Sequence, residues 1–190
     1  MAYGTIIMLN GTTSAGKTSI ITVLHKILDE PYLHAGIDAF FHMLPPRYLW
    51  GEQWGEVLDP ASHAGPVGRM LAVGMHNSIA ALARAGNHVL VDHVFLEPEW
   101  VSECAELFAD IPAYLIGVRC PLAILELREQ QRGDRSPGQA RAQFDRVHRH
   151  ITYDFEVDTA AADAVTCAAA IRQYLSSGAA PSAFQRLREA

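Results

Sequence analysis

Gly11-Thr12-Thr13-Ser14-Ala15-Gly16-Lys17-Thr18 fits the pattern G-x-x-x-x-G-K-[ST], and its reading decides the fold. Glycines let such a loop curl until successive backbone N–H groups face one anion. A helix starting near Gly16 adds its positive N-terminal end. Gly11, Thr12, Thr13, Ser14, Ala15, Gly16, Lys17, Thr18 and Ser19 therefore form the expected cradle for the phosphates of ATP. Lys17 is expected to reach the β- and γ-phosphates as a point charge, and the Thr18 hydroxyl to ligate Mg²⁺. Lysine is scarce in this chain: Lys17 and Lys26 stand against thirteen arginines, so a lysine here is informative. The flanks agree. Residues 5–9 read as a buried strand, and residues 19–28 as a helix with Ile20, Val23, Leu24 and Ile27 on one face. An ordinary glycine-rich turn between strand and helix is the competing reading, and it gives no reason for the lysine.

The rest of the composition narrows the class. A chain of 190 residues, 49% hydrophobic, is expected to form one globular domain over 1–190. The net charge of −6 and the lack of a basic tract speak against a nucleic-acid surface or an anionic membrane as partner. The apolar start is too short for a signal peptide or a membrane span. Cys104, Cys120 and Cys167 are far apart and make no metal-ligand spacing, which suggests a reducing cytoplasm.

Moving outward from the loop, residues 32–37 read as a second strand ending in Asp38. Residues 39–66 hold Pro45-Pro46, two tryptophans and several glycines without a sustained period. They read as a long irregular excursion, a kind of segment that is usually functional. Residues 67–85 read as a helix packing through Met70, Leu71, Val73, Gly74 and Ile79. Further strands are expected at 88–92, 113–118 and 154–158. Further helices are expected at 98–108, 121–131, 139–150 and 160–175, and the tail after Gly178 is expected to be peripheral. Alternating strands and helices imply an α/β fold: a three-layer α/β/α arrangement around a parallel five-stranded sheet. Ligands of such sheets bind at the carboxyl ends of the strands.

That rule predicts convergence of the loop, Asp38, Asp92 and the segment after Asp158. Asp92 follows an apolar run at a strand end, the form of an acid that holds Mg²⁺ beside a phosphate loop; a solvated strand-end carboxylate is the plainer alternative. Asp38 could accept the proton of an attacking hydroxyl, or cap a short helix from Ala39. Arg132 and Arg135 flank a glycine in a polar segment between two helices. They read as a lid over about 132–140, bringing guanidinium groups to the transferred phosphoryl; a surface loop pairing with Asp134 or Glu129 is the alternative. Arg128 and Arg119 are weaker nucleotide candidates. Phe40, Phe41 and Trp54 in the excursion, with His93 and Phe95 after the second acid, suggest a pocket for a flat or apolar molecule; core packing is the commoner fate of any one aromatic. His93 could orient substrate, assist proton transfer or simply pack.

Leu9-Asn10-Gly11 with Ser14-Ala15-Gly16-Lys17, Gly36-Ile37-Asp38, Val91-Asp92 with Val94-Phe95-Leu96, Gly117-Val118-Arg119-Cys120, Arg132-Gly133-Asp134-Arg135, and Tyr153-Asp154 with Val157-Asp158-Thr159 resemble the chloramphenicol phosphotransferase family. The match runs in order from Ile6 to about Tyr174. The resemblance implies a P-loop kinase fold and ATP-dependent phosphorylation of a hydroxyl on an antibiotic-like molecule. It implies Asp38 as base, Arg132 and Arg135 as lid arginines, and Lys17 and Thr18 as the holders of phosphate and magnesium. Two departures fall where the acceptor should bind: His93 stands where the family enzyme has a second Asp, and residues 40–66 bear little likeness.

The expected activity is therefore that of a cytoplasmic, ATP- and Mg²⁺-dependent O-phosphotransferase acting on a small hydroxylated molecule, with antibiotic inactivation as the outcome the resemblance implies. The chain is compatible with a homo-oligomer. The alternatives are a kinase of another hydroxylated metabolite or nucleoside, or a nucleotide-dependent switch without acceptor chemistry. A phosphorylated acceptor would want additional arginines in the excursion.

Overall fold

The structure, a computed structural model, describes residues 2–49, 52–132 and 138–189. Its sheet has five parallel strands: β1 (Ile6–Asn10), β2 (Tyr32–His34), β3 (His88–His93), β4 (Ala113–Arg119) and β5 (Phe155–Asp158), in the order β2-β3-β1-β4-β5. The central strand β1 is buried along its whole length, as an apolar run between two parallel neighbours requires. Its side chains alternate between two cores. Ile6 and Met8 enter the same cluster as Val89, Val91 and Leu115, while Ile7 and Leu9 join Leu90, Ile116 and Val118 on the other side.

Helices cover both faces, giving the three layers expected. The first core is closed by α4 (Pro66–Arg84), α5 (Pro98–Leu107) and α9 (Ala183–Glu189). The second is closed by α1 (Lys17–Ile27), α6 (Leu122–Arg132), α7 (Gln139–Phe144) and α8 (Ala164–Ser176). Two short helices, α2 (Ile37–Phe41) and α3 (Pro46–Leu49), and a 3₁₀ turn at Trp54–Glu56 lie in the segment read from sequence as irregular. That segment packs as part of the protein: Val57, Leu58 and Ala64 are buried, and Leu58 bridges Ala64 in antiparallel fashion.

Four expectations need correction. The second strand ends at His34, so Asp38 sits in the first turn of α2 and not at a strand end; Gly36 is the residue before that helix. The helix expected over 139–150 stops at Phe144. Helix α4 buries Gly68, Ala72, Met75, His76, Ile79, Ala80 and Ala83, leaving Met70 and Val73 exposed; small residues on the inner stripe let the helix lie close to its neighbours. The tail is not peripheral. Phe184 meets Phe108 edge-on at 5.3 Å, and Asp154 Oδ1 accepts hydrogen bonds from the backbone N–H groups of Ser182 and Ala183 at the start of α9. Residues 133–137 lie outside the described residues, so the lid expectation that rests on Arg135 falls there. Among the described residues no helix is long and apolar enough to cross a membrane.

Candidate active site

The phosphate loop begins where β1 ends, and Asn10 fixes that end. Its Nδ2 donates to Val147 O and to Tyr153 Oη, both at 2.7 Å, and its Oδ1 accepts from Phe95 N at 2.9 Å. Both amide hydrogens and the carbonyl oxygen of a fully buried carboxamide are engaged at this one strand end. The loop then takes two left-handed steps, Ser14 at φ 61° and Gly16 at φ 91°. Such a conformation turns consecutive N–H groups to one side. Thr159 braces it from behind, donating from Oγ1 to Ala15 O at 2.8 Å, and Arg128 in turn holds the Thr159 hydroxyl and carbonyl at 3.0 and 2.7 Å. Arg128 is thus a support of the loop's back.

Lys17 is buried and turned back on its own loop, donating to Gly11 O at 2.7 Å and Thr12 O at 3.0 Å. The Ser14 hydroxyl is buried without a hydrogen-bond partner among the described residues. These features suit a bound anion, which would complete the Ser14 hydroxyl and offer Lys17 a stronger partner.

Thr18 and Asp92, 74 residues apart, meet: Thr18 Oγ1 donates to Asp92 Oδ2 at 2.8 Å. His34 Nε2 stands 3.6 Å from the same oxygen. Burial alone would raise the pKa of Asp92; the His34 contact, the Lys17 charge and the Thr18 bond outweigh it and hold that pKa at about 2. Gly36 makes the close approach possible, because a Cβ there would lie 2.1 Å from Asp92 Oδ1. Among the described residues no three His, Cys, Asp or Glu side chains cluster as a metal cage. One carboxylate and one hydroxyl is instead the sparse protein share expected when phosphates and water complete a magnesium shell.

These groups form one end of an open cleft of about 890 Å³. Thr13, Ser14, Gly16, Lys17, Thr18 and Ser19 line its floor, with Asp38 and Asp92 beside them and Arg132, Gln139 and Gln143 along an edge. Asp38 and Arg132 each have an interaction partner within the chain. The other end is apolar: Ile37, Phe41, Val57, Leu58, Ala64, Val94, Leu96 and Trp100. Phe41 is backed by Trp54, edge-on at 5.9 Å. Arg146 clamps two walls of this end, donating to the carbonyls of Ala61 and Ser62 at 3.1 Å and of Leu96 at 2.8 Å.

The structure therefore brings the loop, Asp38, Asp92, Phe41 and Arg132 to one cleft. It places Phe40 and Trp54 against the core cluster instead, and His93 and Phe95 beneath the cleft and not on its lining. His93 is fully buried. Its ring stacks on Phe95 at 4.3 Å, and its Nε2 lies 2.8 Å from His76 Nε2. His76 Nδ1 lies 2.9 Å from Glu103 Oε2, and a carboxylate can only accept, so His76 donates there and His93 donates to His76. Burial, aided by the adjacent His76, pushes the His93 imidazole well below its ordinary value and keeps it neutral. Gln143, Gln139, Leu58, Ala64 and Gly68 line the cleft without having been singled out in the sequence. Glutamine and small aliphatic residues carry no chemical signature by themselves; the only available hint was the four-residue spacing of Gln139 and Gln143 on one helix face.

Five parallel strands, a phosphate loop opening the first helix and an acid on the neighbouring strand define the P-loop kinase class. Solved structures of that class share the fold. Mycobacterium tuberculosis APS kinase, in complex with AMPPNP and APS, superposes with a TM-score of 0.67 at 16% identity, covering 93% of this chain and 99% of that one. The tunicamycin resistance protein of Deinococcus radiodurans gives 0.64 at 17% identity, covering 90% and 95%. Residues 4–176 match the family model for chloramphenicol phosphotransferase-like protein, and the chain belongs to that family. A Mycobacterium tuberculosis protein named "Putative O-phosphotransferase" is 31% identical over 207 aligned positions, covering 100% of this chain and 90% of its own length. The chain is a phosphotransferase of the kind that acts on hydroxyl groups.

Proposed function

We propose that the chain transfers the terminal phosphoryl group of ATP to a hydroxyl of an uncharged, largely apolar small molecule, with an antibiotic-like compound as the acceptor the family likeness favours. The observation that carries this reading is the continuity of the cleft: the phosphate floor runs past Asp38 into a chamber walled by Phe41, Leu58, Leu96 and Trp100. Lys17 and Arg132 are the cationic side chains lining it among the described residues, and both belong to the phosphate end. Among the described residues the cleft lining carries no cationic side chain besides these two, which disfavours an acceptor that already carries a phosphate or sulfate.

In this reading the acceptor oxygen attacks the γ-phosphorus as its bond to the β-phosphate oxygen breaks. Asp38 takes the hydroxyl proton. Lys17 leaves the carbonyls of Gly11 and Thr12 for the phosphate oxygens, and Arg132 adds charge from the edge of the cleft. Thr18 and Asp92 would hold Mg²⁺, which supplies neutralisation of the phosphate charge. The already ionised Asp92 needs no proton removed before it can do so. Ile37, Phe41 and Trp100 exclude water, the competing acceptor.

The test is ADP release from ATP and Mg²⁺ against a panel of hydroxylated antibiotics and metabolites, chloramphenicol included, with mass spectrometry of each acceptor. Wild type and Asp38→Ala are run together. A product carrying one added phosphoryl group, lost in Asp38→Ala while ATP still binds, is the expected result. ATP binding without product from the panel or from a broad metabolite extract would instead favour a nucleotide-dependent switch.

A further inference from the structure

Gln143, on α7, lines the edge of the cleft and touches the phosphate loop at Thr13. Three anchors fix that helix and the turn after it. Glu129, itself buried, accepts from Gly138 N at 2.8 Å and Ala140 N at 2.7 Å at the start. Arg146, three residues after Gln143, holds the carbonyls of Ser62 and Leu96 in two walls of the apolar chamber. Gln143 itself reaches the phosphate loop, where Thr13 N donates to its Oε1 at 2.8 Å.

That last bond settles which way the carboxamide faces. A backbone N–H can only donate, so the oxygen must lie toward Thr13 and the two Nε2 hydrogens must lie on the other side. Gln143 is 3% exposed and lines the cleft, and its Nε2 has no hydrogen-bond partner among the described residues. The buried side-chain atoms left without a partner among the described residues do not include it, so Nε2 opens onto the cleft, where a ligand oxygen can take the place of water.

We propose that Gln143 is a positioning residue for the acceptor: its carboxamide, oriented by the Thr13 N–H, donates from Nε2 to a neutral oxygen of the hydroxylated substrate beside the reacting phosphoryl group. This rests on the phosphotransfer reading above. The phosphate loop already has Lys17, the Ser14 hydroxyl and its own amides for the nucleotide. An uncharged donor at the border of the apolar chamber suits a hydroxyl or carbonyl oxygen, and it does not draw a second anion into the chamber as an arginine would. One carboxamide thus links the two substrates, with its oxygen on the nucleotide loop and its nitrogen on the acceptor.

The experiment compares the full-length wild type with Gln143→Met and Gln143→Glu, using an acceptor from the panel that wild type phosphorylates. Gln143→Met keeps the shape and removes both ends of the carboxamide. Gln143→Glu keeps an oxygen for Thr13 N–H, removes the donors and adds a negative charge, so the nucleotide comparison is read from Gln143→Met. Acceptor KM and kcat are read from initial rates. Nucleotide Kd is read from titration of the acceptor-free protein with the Mg²⁺ complex of a β,γ-imido ATP analogue. Acceptor KM is expected to rise about tenfold or more in both variants. Nucleotide Kd in Gln143→Met is expected to stay within about threefold of wild type, as the loop keeps its own donors. Should Gln143→Met fail to fold, Gln143→Glu carries the test, because it retains the bond to the loop. Unchanged acceptor KM in Gln143→Glu overturns the proposal and leaves Gln143 a support for Thr13. A rise confined to nucleotide Kd overturns it in favour of a phosphate contact. A wild type that forms no product with any acceptor counts against the phosphotransfer reading itself, a result separable from both.

Discussion

The phosphate end of the cleft is built from residues next to one another in the chain, whereas the apolar end is gathered from several separate segments. Residues 11–19 supply most of the first, with Asp92 brought in by a single strand pairing, Leu9 to Asp92. The second draws on α2, the turn around Val57 and Leu58, Ala64, α4, the segment after β3, and α5. Contiguity makes the first end a motif, because a curled loop imposes glycine, lysine and threonine at fixed spacing. The second end imposes only shape, and many apolar sets satisfy one shape. In the proposed reading the phosphate end therefore fixes the reaction class, and the apolar end fixes the acceptor.

Replacing Lys17 should separate the ends most sharply. Lys17→Ala removes the charge that the proposed reading sets against the phosphates, and turnover should fall by roughly a thousandfold. Lys17 lines only the phosphate end, so acceptor affinity, measured by equilibrium titration, should stay within about threefold. A parallel loss of acceptor affinity would show that the two ends are not independent.

Gly36 lies where the ends touch, preceding the helix that carries Asp38 and Phe41 and pressed against the Asp92 carboxylate. In Gly36→Ala the added carbon meets Asp92 Oδ1 at 2.1 Å, so the carboxylate must move. Turnover should drop about a hundredfold, as a misplacement of about 1 Å does. The Mg²⁺ concentration giving half-maximal rate should rise with it. Turnover and Mg²⁺ dependence both at wild-type values would remove Asp92 from the metal role.

Legibility follows the same division. The loop, the parallel sheet and the acid at the end of β3 were readable because each follows from a local rule of spacing or periodicity. The position of Asp38 was misread because Ala35, Gly36 and Ile37 continue the apolar run of the second strand, and the helix that begins at Ile37 is only five residues long. His93 invited a catalytic reading by following Asp92. The sequence could not reveal His76, which approaches from α4 and makes the ring part of a buried pair. The tail looked peripheral because its docking depends on Asp154 and Phe108, both distant in sequence.

Acid should expose the electrostatics of the phosphate end. The Asp92 carboxyl sits at about 2 in the folded chain against an ordinary 3.8, so the folded state favours its ionised form. Its contribution is present in full above the ordinary value and is lost as pH falls through about 2. The shift corresponds to about 2 kcal/mol. Urea unfolding of wild type and Asp92→Asn between pH 6 and pH 2 should show the gap between them closing by that amount toward the acid end. Parallel curves would mean that His34, Thr18 and Lys17 do not favour the charged form.

The smallest of these effects probes the apolar end. Leu96 is 6% exposed, lines the chamber, and has its carbonyl held by Arg146. Leu96→Ala leaves that backbone bond available and removes three carbons from the wall, which is worth about 1.5 kcal/mol of contact with a well-fitting acceptor. Acceptor KM should rise about tenfold or somewhat more, while nucleotide Kd stays unchanged, because the leucine side chain offers no hydrogen bond or charge to a phosphate. The variant should also gain on acceptors bulkier than the wild-type substrate relative to that substrate, since the space vacated lies within the chamber. Rates measured across a graded series of acceptors would show this as a shifted size optimum. An unshifted optimum with unchanged KM would mean that the acceptor does not reach Leu96, and the chamber assignment would contract toward Ile37, Phe41 and Asp38.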